Sequence, residues 1–166
     1  MARPLQNIPD IFSLLAELAI ALAGFTGVTS AFAGRERLFS PMERTRLQAI
    51  LLASSGVLAG CLVLYSASSV GLSEAQSASL AATAGILVTT PVLVFLVPGA
   101  WRHMNDPDST TEAWVLVVVV GYGVTLVGLF GAVAFQMAEQ NLLVVGYSLQ
   151  LMFGLWMFVR LLTRPN

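Results

Sequence analysis

The chain has 166 residues, of which 57% are hydrophobic and only 10% charged, against about 25% charged in an ordinary soluble domain. A soluble fold of this length has too little interior for so much apolar side chain. The composition therefore excludes the usual soluble classes and predicts an integral membrane protein.

A helix rises 1.5 Å per residue, so crossing roughly 30 Å of hydrocarbon takes about 20 apolar residues. Five runs reach that length: residues 11–33, 47–70, 78–97, 113–135 and 142–162. None alternates polar and apolar residues as a barrel strand does, and backbone groups in lipid must bond internally. The expected fold is an all-α, polytopic transmembrane bundle of five spans, forming one membrane domain over residues 1–166.

The first run opens on Asn7-Ile8-Pro9-Asp10, an N-cap residue followed by an early proline and an acid. It then carries Glu17, the one carboxylate inside a span. An ionised group at mid-membrane costs about 3 kcal/mol on insertion scales, so Glu17 must face protein or water, find a partner, or stay protonated. The runs hold one basic residue, Arg160 near the end of the last, so the pointed reading is a proton- or cation-binding carboxylate lining a cavity. The plainer reading is a protonated side chain bonded to a neighbour. Ala19, Ala23, Gly27 and Ala31 form a stripe of small residues along this helix, and Glu17, Ala21 and Gly24 form a second stripe turned away from it.

The second run is introduced by Ser40-Pro41-Met42-Glu43, a capping box with proline at the first helical position. Its Gly56 and Gly60 make a GxxxG, which permits close helix approach where lipid supplies no hydrophobic drive. Cys61 has no second cysteine to pair with and suits packing. Ser73 and Gln76 repeat the capping spacing before the third run. There Thr89-Thr90-Pro91 predicts a kink, with Pro91 a candidate hinge, and Pro98-Gly99 predicts the helix end. The segment Trp101-Arg102-His103-Met104-Asn105-Asp106-Pro107-Asp108 reads as a loop. Trp101 and Arg102 would anchor it at the interface, and one His with two acids makes too poor a set for a metal.

Ser109 and Glu112 cap the fourth run. The fourth and fifth runs share Val-Val-Gly-Tyr at 119–122 and 144–147. Adjacent spans run in opposite directions, so chance in a Val- and Gly-rich composition explains the match better than duplication. Buried tyrosine hydroxyls need partners, and Tyr122, Thr125, Tyr147 and Gln150 could line a polar path or bond between helices.

All 8 basic residues are arginines. Arg35, Arg37, Arg44 and Arg46 lie between the first two runs, Arg102 between the third and fourth, and Arg160 and Arg164 at the end; only Arg3 falls on the other side. The positive-inside rule then puts the N-terminus outside and the C-terminus in the cytoplasm, in a plasma membrane. Ala31-Phe32-Ala33 has the form of a signal-peptidase site. Cleavage there would leave the arginine-rich loop outside, so an uncleaved first span is expected. Arg35, Arg37, Arg44 and Arg46 face anionic headgroups; Glu36 and Glu43 dilute the patch, which gives nucleic-acid binding no support.

Leu14-Leu15-Ala16-Glu17-Leu18 resembles the segment of small multidrug resistance transporters that bears their glutamate. The resemblance covers five residues, and this chain differs in having five apparent spans. It implies a dimer in which Glu17 binds a proton or a cationic substrate. The sequence lacks HExxH, a P-loop, a dinucleotide fingerprint, paired intramembrane aspartates and a serine–histidine pair within a span. The expectation is a non-enzymatic accessory, assembly or regulatory membrane subunit with no cofactor and no metal. Its partners would be the lipid bilayer and a second copy or another membrane protein. The alternative is a small oligomeric proton- or cation-coupled transporter or channel that uses Glu17.

Overall fold

A computed structural model of the chain describes residues 8–36, 41–104, 113–139 and 141–163. Five helices follow in order: α1 (Ile8–Glu36), α2 (Pro41–Ser69), α3 (Glu74–Met104), α4 (Ala113–Ala134) and α5 (Asn141–Leu162). Four of them are long and apolar enough to cross a membrane, over Asp10–Ala31, Glu43–Ser69, Val117–Ala134 and Asn141–Leu162. The third expected span lies within α3, where the side chains of residues 92, 95 and 96 are outside the described set.

Local chemistry sets the ends. α1 begins with Ile8, Pro9 and Asp10, and α2 begins at Pro41 with Glu43 in its first turn. Ser73 and Gln76 form a reciprocal cap at α3: the Ser73 amide donates to Gln76 Oε1 at 3.1 Å, and the Gln76 amide donates to Ser73 Oγ at 3.3 Å. α2 closes with the Leu72 amide donating to the Ala67 carbonyl and the Gly71 amide to that of Ser68, Gly71 having φ +84°. This is the left-handed cap for which glycine is suited. α4 closes in the same way, from Met137 to Ala132 and from Gln136 to Val133, but the left-handed residue is Gln136, at φ 58°. The expected capping residues Asn7, Ser40, Ser109 and Glu112 lie outside the described residues.

One boundary differs from expectation. α3 does not stop at Pro98-Gly99 but continues to Met104, with Pro91 and Pro98 inside it. The start of the expected loop, Trp101 to Met104, is therefore helical, and residues 105–108 lie outside the described set. A proline removes one backbone donor, whereas ending a helix strands up to four carbonyls, and membrane helices tolerate the smaller loss.

Successive helices alternate in direction. Cys61 Sγ, late in α2, donates to the Phe12 carbonyl early in α1 at 3.5 Å. Ser79 Oγ at the start of α3 donates to the Ala134 carbonyl at the end of α4, at 2.8 Å. Arg46 Nη1 near the start of α2 donates to the Arg160 carbonyl near the end of α5, at 3.2 Å. Among the described residues α1 packs only on α2 and α5, and α4 only on α3 and α5. α1 and α4 are thus opposite flanks of the bundle. The core between them is built on Phe12, Val57, Phe130, Leu143 and Tyr147 towards one end, and on Ile50, Val119, Phe153 and Met157 towards the other.

Every helix also turns large apolar side chains outward. Phe25 on α1, Leu62 on α2, Leu87 on α3, Val124 on α4 and Met152 on α5 are each more than 60% exposed. Water would penalise each at about 25 cal/mol per Å² of apolar surface, while acyl chains carry no such penalty.

Candidate functional site

Two groups of polar side chains stand out among the described residues, apart from Ser54 and Ser77, whose buried hydroxyls bond to no described group. Thr26, Thr29, Ser30, Ser55, Thr83 and Thr125 each donate to the carbonyl four residues back, at 2.7–2.8 Å. Such a hydroxyl is satisfied by its own helix and can face any surroundings. The second group depends on other helices.

Tyr147 on α5 is fully buried, and its hydroxyl donates to the Ala81 carbonyl of α3 at 2.7 Å. Its ring packs near Phe130, with centroids 5.0 Å apart, and edge-on to Phe12 at 6.3 Å. The hydroxyl reaches α3 by passing over Gly60, where a Cβ would overlap the Tyr147 hydroxyl and ring. One turn on, Gln150 lies over Gly56 in the same manner. The GxxxG of α2 therefore seats two polar side chains of α5, three residues apart, rather than another helix backbone. Phe130 is seated in turn between Gly85 and Gly146, where a Cβ would come within 2.9 Å and 2.7 Å of its ring.

Beside Gln150 is a cavity of about 30 Å³ at the junction of α2, α3, α4 and α5, lined in part by Ala53, Thr89, Leu93, Tyr122 and Phe153. Thr89 Oγ1, Tyr122 Oη and Gln150 Oε1 are buried there without a hydrogen-bond partner. Tyr122 stacks on Phe153, ring centroids 4.7 Å apart and planes 13° from parallel, which fixes the ring and aims its hydroxyl. Of the four polar-path candidates, the structure brings Tyr122 and Gln150 to one cavity. It places Tyr147 in a closed bond a turn away and Thr125 on the exposed side of α4. Thr89 is the member that the sequence did not mark. Its signal lay in Thr89-Thr90-Pro91: of the two threonines, Thr89 turns inward and Thr90 outward.

Glu17 is elsewhere. It is exposed on the outer side of α1, away from that cavity, and no described group bonds its carboxylate. It lies seven residues, or about 10 Å at 1.5 Å per residue, beyond Asp10, where the apolar span begins. Ser13, Ala21, Gly24 and Ala31 share the exposed face with it. The stripe of Ala19, Ala23, Gly27 and Ala31 passes from buried at Ala19 to half-buried at Ala23 and exposed at Gly27 and Ala31. A Cβ at Gly24 or Gly27 would meet nothing within 4 Å.

Of the arginines, Arg44 is exposed on α2, whereas Arg46 donates into the bundle. Arg160 lies over the Trp156 ring, 5.2 Å from its centroid, a cation–π contact. Arg37 lies outside the described residues, as does the side chain of Arg35. Pro91 is exposed, and α3 runs through it. Among the described residues no three potential metal ligands come together. Compared with known protein families, curated proteins and solved structures, the chain matches none.

Proposed function

We propose that the chain is a five-span, multi-pass protein of a plasma membrane, N-terminus outside and C-terminus cytoplasmic, acting as a non-enzymatic accessory, assembly or regulatory subunit. Its working surface is the outer face of α1. The observation that carries this reading is the exposed position of Glu17. A carboxylate some 10 Å into an apolar span is costly against acyl chains and inexpensive against a hydrogen-bond donor on another helix. Its neighbours suit the second setting. Ala21 and Gly24 leave room for a backbone to approach, and small residues at such faces are what membrane helices pack through. α4 also has outward glycines, Gly121 and Gly128, but Thr125 between them is satisfied by its own helix. Among the described residues inside the apolar spans, Glu17 of α1 is an acid that no described group bonds.

The partner that fits is a transmembrane helix with small residues and a donor at the depth of Glu17. The transport reading draws less support, because Glu17 does not line the interior cavity; it would require a second copy to enclose the carboxylate.

Photo-crosslinking in native membranes tests the proposal. A photoreactive residue at Ala21 is expected to give a discrete protein adduct, retained with Glu17→Gln and lost with Glu17→Leu. The same probe at Leu62, an outward residue of α2, is expected to give lipid adducts only. Identical lipid labelling at both positions would overturn the reading.

A further inference from the structure

Thr89, Tyr122 and Gln150 present three unpartnered oxygens from three helices to one cavity. Thr89 and Gln150 are more than nine-tenths buried, at 5% and 4% exposure. Leaving such a group unbonded is costly, so three together need an explanation. Among the described residues seven other Ser and Thr hydroxyls bond to the carbonyl four residues back, whereas Thr89 Oγ1, like Ser54 Oγ and Ser77 Oγ, does not. That option is open to any helical threonine, and Thr89 Oγ1 is not using it.

Size and charge narrow what the site can hold. A water molecule needs about 10–15 Å³ of such volume and two to four polar partners, and the cavity offers about 30 Å³. A cation would meet three neutral oxygens and no carboxylate among the lining residues, which leaves its charge uncompensated in a low-dielectric interior.

We infer that Thr89, Tyr122 and Gln150 form a buried hydration site holding a pair of water molecules that bridge α3, α4 and α5. The bundle then ties α5 to its neighbours at two successive levels. At one, Tyr147 bonds directly to the Ala81 carbonyl. At the other, one turn along α5, Gln150 reaches Thr89 and Tyr122 through water. Threonine and tyrosine hydroxyls both donate and accept, and Gln150 Oε1 accepts, so two waters can satisfy all three groups.

The test uses the full chain in lipid nanodiscs with ¹⁵N-labelled glutamine. The side-chain amide signal of Gln150, assigned by its loss in Gln150→Leu, is expected to show a cross-peak to water. That cross-peak should vanish in the Thr89→Val/Tyr122→Phe double variant. Its absence from the wild type would overturn the inference. Tyr122→Phe alone gives a second readout on denaturant unfolding. With bridging water, losing the hydroxyl lowers the midpoint. In a dry cavity the hydroxyl is an uncompensated burden, and an unchanged or raised midpoint would count against the site.

Discussion

Gly60→Ala offers the sharpest examination of how α2 and α5 fit. The added methyl would occupy the space of the Tyr147 hydroxyl and the ring carbon that bears it. Either Tyr147 moves, giving up its 2.7 Å bond to the Ala81 carbonyl, or α2 and α5 separate and loosen the core. Overpacking of this kind costs about 1–3 kcal/mol, and an interhelical bond in a membrane protein is worth about 0.6–1.7 kcal/mol. Alanine returns up to about 1 kcal/mol in helix propensity, so the net loss should be about 1–4 kcal/mol. Gly24→Ala is the control, because a methyl there meets nothing within 4 Å and only the propensity gain applies. The two variants should therefore differ by about 2–5 kcal/mol.

The assay is equilibrium unfolding in bicelles by added sodium dodecyl sulfate, followed by tryptophan fluorescence. Tyr147→Phe removes the atom in closest conflict, so Gly60→Ala should cost at least about 1 kcal/mol less on that background, a coupling of the size expected for touching residues. If Gly60→Ala matched Gly24→Ala within about 0.5 kcal/mol, the error of such comparisons, the seating of Tyr147 over Gly60 would be refuted.

Gln136→Gly should stabilise the fold by about 1 kcal/mol, since a left-handed backbone costs a side-chain-bearing residue about that much; the same unfolding titration measures it. Ser73→Ala should cost about 1 kcal/mol by removing one half of the α3 cap, and no loss would argue against the reciprocal bonds with Gln76. For topology, Ser73→Cys should react with an impermeant thiol reagent added outside, Ser40→Cys should not, and the reverse pattern would invert the proposed orientation. In liposomes, wild type and Glu17→Gln should both show no proton or cation flux above empty vesicles; flux present in wild type and abolished by the substitution would favour transport over partner binding.

Sequence reasoning located the helices because hydrophobic length and capping chemistry are local. The Ser73/Gln76 cap and the Pro41 start needed no knowledge of the rest of the chain. Pro98-Gly99 misled for the complementary reason: a local stop signal was outweighed by the cost of ending the backbone bonds, and α3 ran on to Met104. Gly56 and Gly60 were recognisable as a contact surface, yet what sits on them depends on the rotation of α5, which no local pattern encodes. The same holds for the cavity. Tyr122 and Gln150 stood out by residue type, but Thr89 resembled every other threonine until its hydroxyl proved to be outside its own helix's hydrogen bonding.

Two ways of satisfying a polar group recur in the bundle, and Glu17 uses neither. Hydroxyls that satisfy themselves through the backbone occur both inside, as at Thr26, and on the outside of the bundle, as at Ser55 and Thr125, because no donor is wasted in either setting. Groups that need another helix, Tyr147 and Gln150, are turned inward and given space by glycines. Glu17 cannot be satisfied by its own helix as a carboxylate, since backbone carbonyls offer it only acceptors and the amides around it are spent in the helix. It is nevertheless outside. Under the proposed function, an outward carboxylate flanked by Ala21 and Gly24 is the group that a donor on a partner helix would satisfy.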